Sequence, residues 1–165
     1  MELERGEDID VVYGDVSEEG MNVDRVLEQI KRRTTKALTL KSPEAIEAIA
    51  HFAEHRRANP SLRLQFRYIT TAPVGVERDW PDETGGIATW EALRRGDMTP
   101  DDRQMALDKI RNFLAKRTCP ERTRDSWKYV ENVLGRSSLA NLIETFEWST
   151  SPDYPEIEEQ AIKRS

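Results

Sequence analysis

Cysteine is almost absent from this sequence, since Cys119 is the single one among 165 residues. One cysteine cannot build a disulfide framework or a zinc cluster of several thiolates, and it is typical of a reducing, cytoplasmic setting. Long hydrophobic runs are also absent, and the mean hydropathy is −0.74. A bilayer-spanning helix needs about 20 predominantly apolar residues, so the sequence predicts no membrane association.

The sequence predicts no secretory signal, and it has no internal repeats or low-complexity tracts. Its opening residues, Met1 to Glu4, include two acidic side chains, which a signal peptide does not have there. Charged residues make up 34% of the chain, but the apolar residues between them are regularly spaced, which predicts a folded protein. The length suits one domain, with two as the alternative.

The net charge of −6 is unevenly distributed along the chain. Residues 1–30 hold ten acidic and two basic residues, whereas residues 31–67 hold nine basic and three acidic ones. This change of sign has two interpretations: two solvated faces, or a cation site beside a phosphate-binding surface. A protein with this net charge can bind nucleic acid only through a local basic surface.

Residue patterns predict an α/β core in the first half of the chain. Apolar or alternating runs predict strands at residues 8–13, 26–31 and 62–71. Between the last two strands, Ser42-Pro43-Glu44 predicts a helix start and Asn59-Pro60 a helix end. Strand, strand, helix and strand in this order predict a small mixed sheet with a flanking helix.

The second half reads as mostly helical. Helices are predicted at residues 87–95, after Thr99, and around Trp127, and a fourth helix has an apolar stripe that runs from Leu139 to Phe146. We therefore expect a core over residues 1–72 and a helical appendage, packed on it, over residues 73–165. The four tryptophans are widely spaced, which favours core packing over base stacking.

Asp10, Gln29 and Lys31 form the best candidate for a chemical site. A hairpin of the first two strands brings Asp10 beside the face that Gln29 and Lys31 share. A carboxylate and an amide oxygen can hold a hard divalent cation, and a lysine can orient water or stabilise a pentavalent phosphate. Spacing alone leaves a second interpretation open, a surface hairpin with alternating charges.

These residues, the helix and the strand that ends in Thr70-Thr71 resemble the PD-(D/E)XK nuclease superfamily, which has a restriction-endonuclease-like core. The Gln-x-Lys form of Gln29 to Lys31 is a variant of that family's Glu-x-Lys motif. Because its third strand ends in paired threonines, the sequence is most similar to the double-stranded-DNA endonuclease domains of bacterial anti-phage systems associated with cyclic-oligonucleotide signalling. The resemblance covers about residues 4–72.

The resemblance assigns roles to individual positions. It implies that Asp10 binds the metal, with Asp8 as the competing assignment, that Gln29 is the second ligand and that Lys31 is the catalytic lysine. The expected cofactor is Mg²⁺ or Mn²⁺. The family places a helix before its first strand, whereas this sequence enters the strand almost at once. That departure indicates either a fragment or a core without its first helix.

Four basic residues follow Lys31 closely, and either they contact DNA phosphates or they form a solvated charge run. They are Arg32, Arg33, Lys36 and Lys41. The expected function is therefore a magnesium-dependent DNA endonuclease, an effector of anti-phage defence that works as an oligomer or with a fused or associated sensor domain. The alternative is a catalytically inactive nuclease-like module that serves assembly or partner binding.

His51, Glu54 and His55 match the H-x-x-E-H pattern of inverted zinc proteases. At 100° per residue, however, both histidines lie roughly opposite the apolar stripe of their predicted helix. We therefore expect a surface pair that faces solvent or phosphate rather than a zinc centre.

Overall fold

In a computed structural model of the chain, residues 9–14, 24–31, 36–117, 124–134 and 138–150 are described, the first range through its backbone alone. These ranges contain four strands: β1 (Ile9–Gly14), β2 (Arg25–Lys31), β3 (Leu64–Thr70) and β4 (Phe146–Ser149). They also contain five helices: α1 (Pro43–Ala58), α2 (Gly86–Arg95), α3 (Pro100–Ala115), α4 (Arg124–Leu134) and α5 (Ser138–Glu144). None of these helices is long and apolar enough to cross a bilayer.

The four strands form one mixed sheet in the order β1-β2-β3-β4. β1 is antiparallel to β2, whereas β2, β3 and β4 run parallel. Parallel neighbours require a crossover connection, which α1 supplies between β2 and β3 and the other helices supply between β3 and β4. The predicted α/β fold, a small mixed sheet with a flanking helix, is confirmed.

One face of the sheet packs against the helices around three phenylalanine rings. The ring centroids of Phe66 in β3 and Phe146 in β4 are 4.6 Å apart, and Phe52 in α1 lies 5.2 Å from the first and 5.8 Å from the second. A single hydrophobic cluster joins this face to all five helices. All four tryptophans are buried, as their spacing predicted.

The other side of the same three strands carries a line of ion pairs. Glu28, Arg67 and Glu147 occupy aligned register positions on β2, β3 and β4. Arg67 contacts Glu28 at 3.2 Å and Glu147 at 3.6 Å. Arg94 of α2 extends the line, contacting Glu147 at 3.8 Å and Glu91 at 2.9 Å. The hydrogen bond to Glu91 raises the pKa of Arg94, and the line ties α2 to the sheet.

The helix predicted through Phe146 is wrong in its last residues. Helix α5 ends at Glu144, and Phe146 begins β4. The apolar spacing from Leu139 to Ile143 is helical, but Phe146 and Trp148 alternate with Glu147 for only four residues. So short an alternation becomes a strand only because β3 pairs with it. Residues 73–165 therefore contribute a strand of the sheet as well as helices.

Helix α2 closes the outer edge of β4. The indole Nε1–H of Trp90 donates to the carbonyl oxygen of Phe146 at 2.8 Å. The next residue of α2, Glu91, accepts the backbone N–H of Trp148 at 3.1 Å through Oε2. An open strand edge would expose these backbone groups to pairing with another chain, and these two side chains occupy them instead.

We expect Trp90→Phe to be more destabilising than Trp148→Phe by about 1–3 kcal/mol, because the first change leaves the buried carbonyl of Phe146 without its donor. Both substitutions remove a similar volume from the same aromatic cluster. The Trp148 indole N–H, however, has no hydrogen-bond partner within the described ranges, so its loss breaks no bond. Urea unfolding of both variants measures the difference, and equal free energies of unfolding would contradict the role of Trp90.

Candidate functional site

The candidate residues meet at one edge of the sheet. β2 and β3 are parallel, so their carboxyl ends lie together, and antiparallel β1 brings its amino end to the same edge. The register pairs Asp10 with Gln29 across β1 and β2, and it pairs Lys31 with Thr70 across β2 and β3. The backbone therefore makes Asp10 and Gln29 direct neighbours, with Lys31 two residues further along β2.

Burial changes sharply along this end of β2. Gln29 is only 2% exposed, and its partner on β3, Tyr68, is fully buried. Lys31, at the strand end, is half-buried. A buried amide requires a hydrogen-bond partner or a ligand for its oxygen, and a half-buried ammonium interacts with an anion more strongly than one in water does. This edge of the sheet therefore holds the buried amide of Gln29 and, two residues further along β2, the half-buried ammonium of Lys31.

Several predicted site residues are not tested by the structure. Asp8, Arg32 and Arg33 lie outside the described residues, whereas Lys36 and Lys41 are described and exposed. In the part of the chain that is described, no group of three or more histidine, cysteine, aspartate or glutamate side chains could hold a metal ion.

The segments that follow β2 and β3 are fastened to each other. Residues 36–41, which we call the basic loop, form a parallel bridge to the segment after β3 between Leu38 and Val74. The Leu38 N–H donates to the carbonyl of Pro73 at 2.7 Å, and the Gly75 N–H donates to the carbonyl of Leu38 at 2.9 Å. The basic loop is therefore held beside the edge at which Lys31 lies.

The buried carboxylate of Glu77 completes this attachment. Its Oε1 accepts the backbone N–H of Leu40 at 2.9 Å, and its Oε2 accepts that of Gly86 at 2.8 Å. Glu77 is only 4% exposed, so both bonds are shielded from water. A Cβ at position 86 would lie 2.5 Å from Cδ1 of Leu40, which explains the glycine there. One side chain thus joins the basic loop to the start of α2.

The two described lysines of the basic loop differ in their electrostatic surroundings. Lys41 lies 3.9 Å from Asp79, which also accepts a hydrogen bond from Arg117 at 2.9 Å. Desolvation raises the pKa of Asp79, but the Arg117 hydrogen bond and the nearby cations outweigh it, so the net pKa is below the ordinary value. Asp79 is therefore charged at neutral pH and offsets part of the Lys41 charge. Lys36 contacts no carboxylate within the described ranges.

Sequence reasoning missed Glu77 and its exposed neighbour Arg78. No motif or periodicity distinguishes an acidic residue between Val76 and Arg78 from a solvated loop residue. The signal appears only when the loop closes and burial forces the carboxylate to accept backbone donors. Arg78 adds a positive charge to the surface beside the basic loop.

Comparisons with known proteins add no assignment. No protein-family model, curated protein or solved structure matches this chain. The strand register, the buried Gln29 and the attached basic loop are therefore the observations from which a function can be argued.

We expect Glu77→Gln to be destabilising by about 1–3 kcal/mol, because an amide keeps one acceptor oxygen and turns an N–H group toward the second backbone donor. Hydrogen exchange at the amides of Leu40 and Gly86 should accelerate more than exchange in α3. The matched control is Glu83→Gln in the same segment, where the side chain is exposed. Unchanged exchange at both amides would contradict the attachment by Glu77.

Proposed function

We propose that this chain is a metal-dependent DNA endonuclease domain that acts on double-stranded DNA in the cytoplasm as the effector part of an anti-phage system. The observation that carries the proposal is the register that pairs Asp10 with Gln29 and leaves Lys31 two residues further at the same edge. This arrangement agrees with the resemblance to the PD-(D/E)XK nucleases.

The ligand chemistry suits Mg²⁺ or Mn²⁺. The carboxylate of Asp10 and the amide oxygen of Gln29 are oxygen ligands of the kind that hard cations take, and Asp8 would add a second carboxylate. A cation held there would neutralise charge on the scissile phosphate and lower the pKa of a bound water. Because Gln29 carries no charge, cation affinity depends on the acidic residues at the start of the chain.

Lys31 acts on the reaction rather than on substrate affinity. Its ammonium orients the attacking water or stabilises the negative charge that develops on the pentavalent phosphate. The half-buried position strengthens this interaction, since partial exclusion of water lowers the effective dielectric constant. A preorganised cation of this kind contributes mainly to the transition state.

Substrate binding depends on the basic surface next to the edge. Arg32, Arg33, Lys36 and Lys41 would contact backbone phosphates without reading the base sequence. The bridge between Leu38 and Val74 holds the basic loop beside the edge, which supports phosphate contact by Lys36 and Lys41, the two of these residues that the structure describes. Since one active site cuts one strand, cleavage of a duplex requires two copies, brought together by oligomerisation or by a fused or associated sensor domain.

A second candidate is a nuclease-like module without catalytic activity that serves assembly or partner binding. The neutral ligand Gln29 favours it, because a glutamine adds no negative charge with which to bind a cation. Plasmid cleavage with and without Mg²⁺ separates the two candidates. Cleavage that requires Mg²⁺ supports the endonuclease, and its absence at every protein concentration supports the inactive module.

We expect Lys31→Ala to lower the cleavage rate by about 100-fold or more while DNA affinity stays within a few-fold, because Lys31 acts on the transition state. Asp10→Ala should be equally inactive, and Asp8→Ala less affected. Single-turnover cleavage and equilibrium binding to the same duplex provide the two measurements.

The matched control for Asp10 is Asp24→Asn, a carboxylate at the opposite end of β2 that pairs with Arg63 at 3.3 Å. It should leave the cleavage rate unchanged. Full cleavage activity in Lys31→Ala would show that the active site lies elsewhere in the chain. Loss of activity in Asp8→Ala alone would shift the assignment on the first strand by two residues.

We expect the combined change of Arg32, Arg33 and Lys36 to alanine to weaken DNA binding similarly across sequences. The slope of log affinity against log salt should flatten by about one unit for each lost phosphate contact. Three exposed basic residues on helices α2 and α4, Arg95, Arg124 and Lys128, form the control triple. If both triple variants show the same salt slope, the basic residues do not contact phosphates, and the interpretation as a solvated charge run is favoured.

A further inference from the structure

A cavity of about 400 Å³ lies between the last turns of α1 and helix α4. Sites for small ligands have volumes of about 300–1,000 Å³, so this cavity can hold one. Its polar lining consists of two guanidinium groups, two amides and a phenol: Arg56, Arg57, Asn59, Asn132 and Tyr129. Every charged side chain in the lining is therefore positive.

The guanidinium of Arg56 is the feature of the cavity that favours a bound anion. It is half-buried, and its guanidinium carbon lies 5.9 Å from the centroid of the buried Phe52 ring. Burial lowers the pKa of Arg56, which reflects the cost of removing a charge from water. Among the described residues, neither Arg56 nor Arg57 has a carboxylate within ion-pair distance. A partly desolvated cation that has no carboxylate partner among the described residues is costly, and a bound anion would offset that cost.

The remainder of the lining is suited to a planar group. Tyr129 is half-buried and lines the cavity, the ammonium of Lys128 lies 5.2 Å from its ring centroid, and Leu62 and Leu142 add apolar surface. The Asn59 amide nitrogen already donates to the His55 carbonyl at 3.0 Å, but its oxygen and second N–H, like the amide of Asn132, can pair with the edge of a ring. Stacking on an aromatic side chain contributes about 1–3 kcal/mol per base in nucleic-acid complexes. The cavity thus combines an anion site with a surface for a ring.

The cavity is separate from the candidate active site. Helix α1 makes the crossover between two parallel strands, so it begins near the carboxyl edge of the sheet and ends near the amino edge. Its 16 residues span about 24 Å. Asp10, Gln29 and Lys31 lie at the carboxyl edge, and the cavity lies at the other end of α1.

We propose that this cavity binds a small phosphate ester that carries a planar ring, a mononucleotide being the simplest example. The phosphate lies against Arg56 and Arg57, and the ring lies against Tyr129 between the two amides. This function is independent of DNA cleavage, because none of the cavity residues belongs to the proposed active site.

Isothermal titration of the full chain with adenosine 5′-monophosphate, inorganic phosphate and adenosine tests the proposal at low salt. The nucleotide should bind at least about tenfold more tightly than either fragment, since only it occupies both halves of the cavity. Arg56→Gln should weaken nucleotide binding by about tenfold or more, and Arg57→Gln should weaken it as well. The control Arg95→Gln, an exposed arginine on α2, should leave binding unchanged.

A measurement on the unaltered protein keeps the test independent of folding in the variants. In ¹H–¹⁵N spectra, the side-chain amides of Asn59 and Asn132 should shift with the nucleotide, and that of Asn112 on α3 should not. No binding of nucleotide or phosphate up to about 10 mM would overturn the proposal. So would nucleotide affinity that Arg56→Gln leaves intact. Equal affinity for phosphate and nucleotide would overturn the assignment of Tyr129 and with it the mononucleotide.

Discussion

The parallel pairing of β2 with β3 constrains most of this molecule. Parallel neighbours cannot be joined by a tight turn, so the chain must cross one face of the sheet, and α1 makes that crossing. The crossing brings Phe52 onto Phe66 and thereby establishes the aromatic centre of the core. It also places the carboxyl ends of both strands at one edge, where the segments that follow them bridge at Leu38 and Val74.

Charged groups stabilise the fold where hydrophobic packing does not reach. The ion pairs of Glu28, Arg67 and Glu147 run across three strands on the side opposite the phenylalanine rings. Glu77 plays a comparable part in the loops, where its carboxylate replaces the backbone partners that Leu40 and Gly86 would find in regular structure. From the sequence alone, each of these acids would be interpreted as a solvated charge. In the fold each is buried or partly buried, and its contacts give it a structural role.

The proposed nuclease site and the proposed mononucleotide cavity lie at the two ends of α1, and they depend on different physical features. The first depends on strand register, which fixes Asp10 opposite Gln29 through main-chain hydrogen bonds. The second depends on the packing of α1 against α4, which leaves Arg56 half-buried beside Tyr129. A change in one can therefore leave the other intact. This separation allows binding at the cavity and cleavage at the edge to be measured independently.

The sequence by itself determined the elements whose signals are local. The alternation in β1, β2 and β3, the Pro43 start of α1 and the Thr99 cap of α3 each involve residues a few positions apart, and the structure contains all of them. The sequence also allowed a hairpin that brings Asp10 beside Gln29, and the register of the structure pairs these two residues. Tertiary structure alone decided β4, the burial of Glu77 and the cavity at Arg56. Each of these depends on contacts between segments far apart in the chain, such as Phe66 with Phe146. The hydrophobic periodicity of a segment shows which side of that helix or strand is apolar. It does not show which distant segment will cover that side.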